Sequence, residues 1–189
     1  MEKDKIRTTC EILGSPWELE GEAVRLFKKV VDTGSFRYYS NKERIAVSVI
    51  AIVCRQYRKP RTFAQIAKAI KVDRLRGIKR IACNITRKFG IKLPPIDAAD
   101  FVPYFCAKLN LNKAIENKAI EIIKEAKKAN VSENRRTASI AAAAIYIAAI
   151  LCGDHRPQKE IADALGMTEM TIRNVYKEMA EQLDIEVIL

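Results

Sequence analysis

The chain has 189 residues, of which 49% are apolar and 30% are charged. This composition supplies apolar residues for two modest cores and excludes disordered and fibrous proteins. The 34 Lys and Arg residues outnumber the 23 Asp and Glu residues and give a net charge of +11, which points to an acidic or polyanionic partner.

Helical patterns begin at the N-terminus, where Met1 to Lys5 lead into a helix over about residues 3–13. No apolar segment of a signal peptide precedes it, so we expect a cytoplasmic protein. A second helix is predicted from Pro16, as its first helical residue, to about Asp32, and Gly34 ends it. Capping boxes predict the starts of the second, third and fourth helices at Ser15 to Glu18, Ser40 to Glu43, and Thr62 to Gln65.

A fifth helix is predicted to begin at Asp73, whose carboxylate is suited to capping it. Its apolar stripe faces inward, so its outer surface is strongly basic. The apolar positions are Ile78, Ile81, Ile85 and Phe89, and the basic positions are Arg76, Lys79, Arg80 and Arg87.

The segment Leu93-Pro94-Pro95 cannot continue a helix. We therefore expect a short linker at residues 94–96 between domains at 1–93 and 97–189. The second half repeats the plan with helices near 98–109, 113–129, 136–152, 157–165 and 168–183. Strand signals are absent, so the predicted fold is all-α, with ten helices in two sets of five.

The most apolar stretch, Thr137 to Cys152, holds no charge and no helix breaker. A helix there must be surrounded by other helices, which makes it the hub of the second half. It is shorter than the about 20 residues of a membrane span, and no membrane association is expected. A shift of 95 residues aligns it with the third helix, with Ile45 on Ile140, and a shift of 96 aligns Cys10 with Cys106. The chain is therefore predicted to be an internal duplication.

The five cysteines are widely spaced and lie mostly among apolar neighbours, which is typical of reduced core thiols. Cys152 and His155 offer two metal ligands without a third nearby, so no metal or other cofactor is expected. The chain has one His, no Gly-rich phosphate loop, no paired-carboxylate motif and no nucleophile signature, so we do not expect an enzyme.

The positive charge is concentrated in the first half. Residues 1–96 carry 22 Lys and Arg against 9 Asp and Glu, a net charge of +13, whereas residues 97–189 carry 12 against 14, a net charge of −2. Between Arg55 and Lys92 there are 13 basic residues and a single acid, Asp73. Any one of these side chains can be an ordinary solvated cation, but their concentration indicates an acidic partner.

Residues Gln158 to Lys177 have the spacing of a helix-turn-helix. Gly166 can adopt the positive φ of the turn, and Thr168 can cap the second helix. The inward positions of that helix are Ile172, Val175, Met179 and Leu183. The outward positions are Met170, Arg173 and Lys177, flanked by Glu169, Thr171 and Asn174.

The outward side chains are of types that can enter and read a major groove. Arg173 can make bidentate contacts to guanine, and Met170 and Thr171 can pack on thymine methyl groups. Glu169 and Asn174 are further candidates for base contacts. Candidates for phosphate contacts are Gln158, Lys159, Thr168 and Lys177 together with Arg135, Arg136 and Thr137 at the start of the hub helix. The same helix pair can also occur as a plain packing unit.

The equivalent stretch of the first half, Thr62 to Arg80, has Lys71 in place of the turn glycine and Gly77 in place of Ile172. Base reading is not expected there, and its basic helix suits phosphates or an acidic protein face.

These features resemble the core domain of transcription factor B of archaea, the counterpart of eukaryotic transcription factor IIB. The resemblance rests on the two five-helix repeats, on the loop from Cys54 to Thr62, on Ala141 to Ala148, and above all on Thr168 to Glu178. It implies two tandem cyclin-like repeats that bind the complex of TATA-box-binding protein with double-stranded promoter DNA.

The resemblance also implies roles for particular residues. Met170 and Arg173 match positions that read the element upstream of the TATA box, which sets the direction of transcription. Arg61 and Thr62 match further phosphate contacts. The segment that matches the contact with the acidic stirrup of TATA-box-binding protein contains Arg74, Arg76, Lys79 and Arg80.

The chain departs from the family in three places. Asn134 to Thr137 replace a Gly, basic, Ser, Pro pattern, and Val175 replaces a residue that is often polar. The zinc ribbon of the family, which engages RNA polymerase, is absent from this chain, so we expect an excised core or a natural short form, with excision favoured. We expect a monomer at the nucleoid whose contact with RNA polymerase depends mainly on that missing N-terminal region.

A second interpretation is a cyclin-like module that binds a kinase or another protein without reading DNA, since the fold alone does not exclude it. The salt dependence of DNA binding separates the two interpretations, because phosphate contacts give a steep slope and a protein partner gives none.

Overall fold

We describe the protein from a computed structural model. It describes residues 2–14, 17–34, 36, 42–73, 75–131 and 134–185. Over these ranges every regular element is a helix, so the predicted all-α fold is confirmed. The chain divides into two compact units, Met1–Pro95 and Ile96–Leu189, which are described separately. No helix within these ranges is long and apolar enough to cross a membrane.

The first unit is built around its third helix. The helices are α1 (Glu2–Ile12), α2 (Trp17–Asp32), α3 (Lys42–Gln56), α4 (Phe63–Ile70) and α5 (Ile78–Lys88). α3 contacts the other four helices, and its side chains from Ile45 to Ile50 are all buried. Such a helix has no polar face, because neighbouring helices cover it on every side.

The second unit has the same plan around the predicted hub helix. It comprises a 3₁₀ helix (Ala98–Phe101), α6 (Val102–Lys108), α7 (Lys113–Lys128), α8 (Thr137–Leu151), α9 (Gln158–Leu165) and α10 (Glu169–Gln182). α8 contacts the other four α-helices of its unit. Every residue from Ala141 to Ile150 is buried, which confirms the hub. The prediction was wrong at its last residues, since Leu151 is 45% exposed and Cys152 lies outside the helix.

The helix bounds of the two units repeat at a constant spacing. The bounds of α3 and α4 recur 95 residues later in α8 and α9, at both ends of each helix. The bounds of α2 recur 96 residues later in α7, and α1 corresponds to the 3₁₀ helix and α6 together. Matching lengths and spacing of this kind are expected of a duplicated unit.

The exception is the fifth helix, where the prediction of an Asp73 cap was wrong. α5 begins only at Ile78, after Gly77 with φ 87° and no capping side chain. A positive φ is readily adopted by glycine and is incompatible with a right-handed helix, so the helix cannot extend back to Asp73. Arg76 therefore precedes α5, and Phe89 follows its last residue.

Two other groups of predictions are partly confirmed. Thr62 and Gln65 form the predicted reciprocal capping box of α4, whereas those at Ser15 and Ser40 rest on residues outside the described ranges. Three cysteines are buried, but Cys83 and Cys152 are exposed, so the assignment of core thiols was wrong for those two. The buried cysteines are Cys10, Cys54 and Cys106.

Candidate nucleic-acid interface

The pair of helices α9 and α10 is joined by a three-residue turn in which Gly166 is left-handed, with φ 68°. Thr168 caps α10, because its side-chain oxygen accepts a hydrogen bond from the Thr171 N–H at 3.3 Å. Both local predictions, the positive φ and the cap, are confirmed. The turn and the cap together fix where α10 begins.

α10 has one buried face and one exposed face. Ile172, Val175 and Met179 are buried as predicted, whereas Leu183 lies just past the helix and is partly buried. Tyr176 is a buried residue that the sequence analysis missed; its ring meets the Tyr146 ring edge-on at 4.9 Å.

The exposed face carries the predicted base-reading side chains. Met170 is 57% exposed, one of several large apolar side chains that face solvent. Arg173, Asn174 and Lys177 are exposed beside it, and Glu169 and Thr171 are half-buried. This row therefore combines an apolar side chain, two cations, a carboxylate, a hydroxyl and an amide on a helix whose opposite face is buried.

Arg173 is held by two partners within the second unit. Its Nη2 donates to Glu169 Oε1 at 2.6 Å, one turn earlier on α10. Its Nε donates to Gln158 Oε1 at 3.3 Å, on the first turn of α9. Gln158 in turn donates from Nε2 to the Tyr146 hydroxyl at 3.2 Å. Neither partner of Arg173 was foreseen from the sequence.

The start of α8 lies close to α10 through an ion pair. Arg135 donates from Nε to Glu178 Oε2 at 2.8 Å, and its Nη2 also lies 2.8 Å from that oxygen. Arg136 is the residue before α8 and provides no side-chain cap, and Thr137 is the first helical residue. Uncapped N–H groups at a helix start attract anions. The exposed cations of this unit without an ion-pair partner among the described residues include Arg136, Lys159 and Lys177.

A polar cavity of about 610 Å³ in the first unit is lined mainly by the segment that leads into α5. Arg76 and Arg80 line it, and Lys79 is exposed nearby in the sequence. None of these three has an ion-pair partner within the described ranges. Arg74, the fourth predicted contact, lies outside the described residues.

Arg44, on the first turn of α3, is a lining residue that the sequence analysis missed. Its Nε is buried and has no hydrogen-bond partner among the described residues, which is costly for a charged group. No local signal marks this residue, because only the packing of α3 against α5 brings it to the cavity. Among the described lining residues Asp73 is the one carboxylate against three arginines, so their net charge is positive.

Two predicted phosphate contacts of the first unit have structural partners. The Arg61 guanidinium donates from Nη2 to the carbonyl of Leu13 at 3.2 Å and from Nη1 to the carbonyl of Pro60 at 3.1 Å. The Thr62 hydroxyl accepts from the Gln65 N–H at 3.1 Å. Both side chains thus help to fix the α4 start, whatever else they bind.

Metal-ligand side chains do not cluster in the described ranges: no three His, Cys, Asp or Glu residues are placed to hold an ion. The features that stand out are therefore the exposed face of α10 and the cavity lined by Arg44, Arg76 and Arg80, which we call the arginine cavity. The fold is thus an all-α repeat of two five-helix, cyclin-like units. The two surfaces are of the kind that binds other molecules.

Comparison with known proteins identifies the family. Residues 91–182 match the model described as Transcription factor TFIIB repeat. Three relatives, all named Transcription initiation factor IIB, align over 94% of this chain. The protein of Archaeoglobus fulgidus is 44% identical and 54% of it is covered; those of Methanosarcina mazei and Methanococcus maripaludis are 42% and 41% identical, with 52% of each covered.

The chain belongs to the transcription factor TFIIB repeat family. This confirms the resemblance drawn from the sequence and the prediction that the chain is not an enzyme, because the family is one of transcription initiation factors. The chain spans about half the length of the curated relatives it matches.

Proposed function

We propose that the chain is the core of a general transcription initiation factor. In this proposal it binds the complex of TATA-box-binding protein with promoter DNA and reads the element upstream of the TATA box, which sets the direction of transcription. The observation that carries the proposal is the exposed face of α10, with Met170 and Arg173 uncovered on a helix whose opposite face is buried. The names of the relatives support the same role.

Reading of bases is assigned to the outward row of α10. A guanidinium can donate two hydrogen bonds to the O6 and N7 of guanine, so Arg173 recognises a guanine. Met170 and Thr171 recognise thymine methyl groups, and Glu169 and Asn174 lie at the flanks of the row. A major groove admits one α-helix, and α10 has 14 residues, enough for the contacts of its first turns.

Phosphate contacts are assigned to cations and N–H groups around that row. Lys177 lies on α10, Lys159 on the first turn of α9, and Arg136 before α8. The N–H groups at the starts of α8 and α10, near Thr137 and Thr168, add to the positive potential. These contacts fix the position of the protein on DNA and give no sequence preference.

The arginine cavity of the first unit is assigned to TATA-box-binding protein. Arg44, Arg76 and Arg80 line this cavity, and Asp73 is the one carboxylate among its described lining residues. Lys79 is the exposed neighbour of Arg80 in the sequence. Guanidinium groups pair bidentately with carboxylates, so an acidic surface loop of the partner suits this cavity. The Arg44 Nε, which has no hydrogen-bond partner among the described residues, supports an occupant that supplies an acceptor atom.

The remaining partners follow the same role. RNA polymerase is the third macromolecule of the proposed assembly, and we expect the chain to act at the nucleoid as a monomer without a cofactor of its own.

An electrophoretic mobility-shift assay with TATA-box-binding protein and promoter duplexes tests the proposal. We expect a supershift of the complex of TATA-box-binding protein with DNA, and a stronger one when the upstream flank carries its preferred sequence. Footprinting should protect the flank next to the TATA box on one side only. The absence of a supershift on every TATA-containing duplex would show that the proposed function is wrong.

A further inference from the structure

The hydrogen bonds of Arg173 carry an inference that rests on the proposed function and goes beyond it. We propose that Gln158 is a positioning residue for base recognition. Gln158 holds the guanidinium of Arg173 so that the two terminal nitrogens of the guanidinium face the base. Gln158 is itself held by the hydroxyl of the buried residue Tyr146.

The first step is the division of the guanidinium donors. Arg has five N–H donors in a fixed planar fork, one on Nε and two on each terminal nitrogen. Gln158 occupies the Nε donor at 3.3 Å. Bidentate recognition of guanine can then use the Nη1 and Nη2 edge, which points away from Nε. The bond to Gln158 is thus compatible with recognition and persists during it.

The second step concerns Glu169, which holds Nη2 at 2.6 Å in the free protein. This ion pair is half-exposed on both sides, and such pairs contribute little to stability. Guanine can therefore displace the carboxylate from Nη2 without disturbing the bond on Nε. Glu169 prevents the guanidinium from folding onto other acceptors before DNA arrives, and Gln158 keeps its direction afterwards.

The third step is the origin of the Gln158 orientation. Its Oε1 faces Arg173 because a guanidinium has no acceptor and requires an oxygen opposite it. Its Nε2 faces the Tyr146 hydroxyl at 3.2 Å. Tyr146 is 5% exposed, and its ring packs against Tyr176 of α10. The hub helix, α9 and α10 are thereby linked through one chain of hydrogen bonds and one ring contact, which fixes Arg173 relative to the body of the unit.

A direct phosphate contact by Gln158 would have different consequences. Loss of a phosphate contact weakens binding about equally on all sequences. Loss of a positioning contact lets Arg173 sample other rotamers, so the energetic difference between the preferred base and other bases falls while binding to a mismatched duplex is unchanged. The ratio of affinities for two duplexes separates these outcomes.

The experiment measures the dissociation of the ternary complex with TATA-box-binding protein on paired duplexes. One duplex carries the base pair at which Arg173→Ala removes all preference, and the other carries a substitution there. We expect Gln158→Ala to lower the affinity ratio about three- to tenfold and Tyr146→Phe about twofold. In an Arg173→Ala background, Gln158→Ala should change the ratio no further.

Two controls separate positioning from folding. Tyr176→Phe removes a neighbouring hydroxyl that makes no hydrogen bond among the described residues, and it should leave the ratio unchanged. Gln158→Glu keeps an acceptor opposite Arg173, so the ratio should stay within about twofold of the wild type while affinity for both duplexes falls through the added negative charge. Melting temperatures should agree among these variants.

Two results are distinguishable. If Arg173→Ala changes no base preference at all, the proposed reading by α10 fails. If Arg173→Ala removes the preference but Gln158→Ala weakens both duplexes equally, or leaves the ratio unchanged, Gln158 is not a positioning residue and only this inference is overturned.

Discussion

Lys71 and Gly166, which lie 95 residues apart, end the fourth helix of each unit in the same left-handed conformation, with φ of 64° and 68°. In each case the next N–H returns to the helix: Val72 donates to the Ala67 carbonyl at 2.8 Å, and Met167 to the Ala162 carbonyl at 2.9 Å. This is the hydrogen-bond pattern of a Schellman cap, and glycine is the residue that fits it without strain. The first unit thus has the same turn as the second unit, but Lys71, whose Cβ is unfavourable at positive φ, stands in place of glycine.

Replacing each of these two residues should move stability in opposite directions. Lys71→Gly removes a Cβ from the left-handed region and should raise the free energy of unfolding by about 0.5–1 kcal/mol, after the greater unfolded-state entropy of glycine is counted. Gly166→Ala should lower it by about 1–2 kcal/mol. Urea unfolding of each variant measures both changes.

The matched control is Lys68→Gly, which makes the same replacement three residues earlier, inside α4. Glycine within a helix costs about 1 kcal/mol, so this variant should be less stable than the wild type. Equal destabilisation by Lys71→Gly and Lys68→Gly would contradict the strain assigned to Lys71.

The fold could be predicted from the sequence wherever burial is complete. The charge-free stretch from Thr137 predicted α8, and the 95-residue shift predicted α3, because apolar periodicity and repeats are properties of the chain alone. The predicted start of α5 was wrong because Asp73 is a residue type that caps helices well, whereas nothing in the sequence marks Gly77 as the position at which the helix begins. The conformation of that glycine depends on how the turn packs, so local propensity gave the wrong helix start.

The site was predictable in its residue types and not in its connections. The outward row of α10 follows from a period of 3.6 residues and is observed as expected. Three features each bring together residues that are at least 15 positions apart. They are the bond between Arg173 and Gln158, the ion pair of Arg135 with Glu178, and the lining of one cavity by Arg44 together with Arg76 and Arg80. Such contacts depend on how helices pack, which no local pattern records.

Cysteine reactivity should follow burial. Iodoacetamide at pH 8 should alkylate Cys83 and Cys152 in the native protein, because both are exposed. Burial raises the pKa of the Cys10 thiol and of the Cys106 thiol to about 12, so almost no thiolate forms there. Cys54 is buried as well. Peptide mapping by mass spectrometry should find these three modified only after denaturation.

The raised pKa values of the Cys10 and Cys106 thiols determine the direction in which stability changes with pH. Below the ordinary thiol pKa of about 8.5, both states are protonated and these groups contribute nothing. Above it, the unfolded state releases the Cys10 and Cys106 protons while the folded state retains them, so stability should fall as the pH rises from about 8.5 towards 12. Cys10→Ala with Cys106→Ala should reduce this slope; an unchanged slope would argue against the raised pKa values.

Release of Arg135 should strengthen DNA binding. Glu178→Gln removes the carboxylate charge that pairs with Arg135, and the guanidinium, released from this ion pair, lies at the start of α8, where phosphate contacts are proposed. We expect tighter binding of the ternary complex at low salt and a slope of log K against log salt steeper by about 0.9. Titration at several salt concentrations measures it.

The control for this charge change is Glu121→Gln on α7, whose carboxylate pairs with Lys118. It alters the net charge equally and should change the slope less than Glu178→Gln does. If both substitutions act alike, the effect belongs to the overall charge, and Arg135 has no particular place at the DNA.

Substitutions in the two units should separate DNA reading from the protein contact. Arg173→Ala should remove about 1–3 kcal/mol of discrimination at one base pair while the ternary complex still forms. Arg76→Ala with Arg80→Ala should instead weaken the complex on every duplex, because the arginine cavity carries no base contact in this proposal. Arg44→Ala should act like the Arg76 and Arg80 pair, although it lies on α3, since its Nε is buried beside the same cavity.

Arg87→Ala provides the matched control for the cavity. Arg87 lies on the last turn of α5, is exposed and does not line the cavity. Like Arg44→Ala, Arg87→Ala removes one positive charge, here from the helix that carries Arg80. It should leave the affinity for TATA-box-binding protein within about twofold of the wild type, because an exposed charge contributes little. If Arg87→Ala weakens the complex as much as Arg44→Ala, the contact depends on the general charge of α5 and not on the cavity. If Arg76→Ala with Arg80→Ala alters base preference and Arg173→Ala does not, the assignment of the two units is reversed.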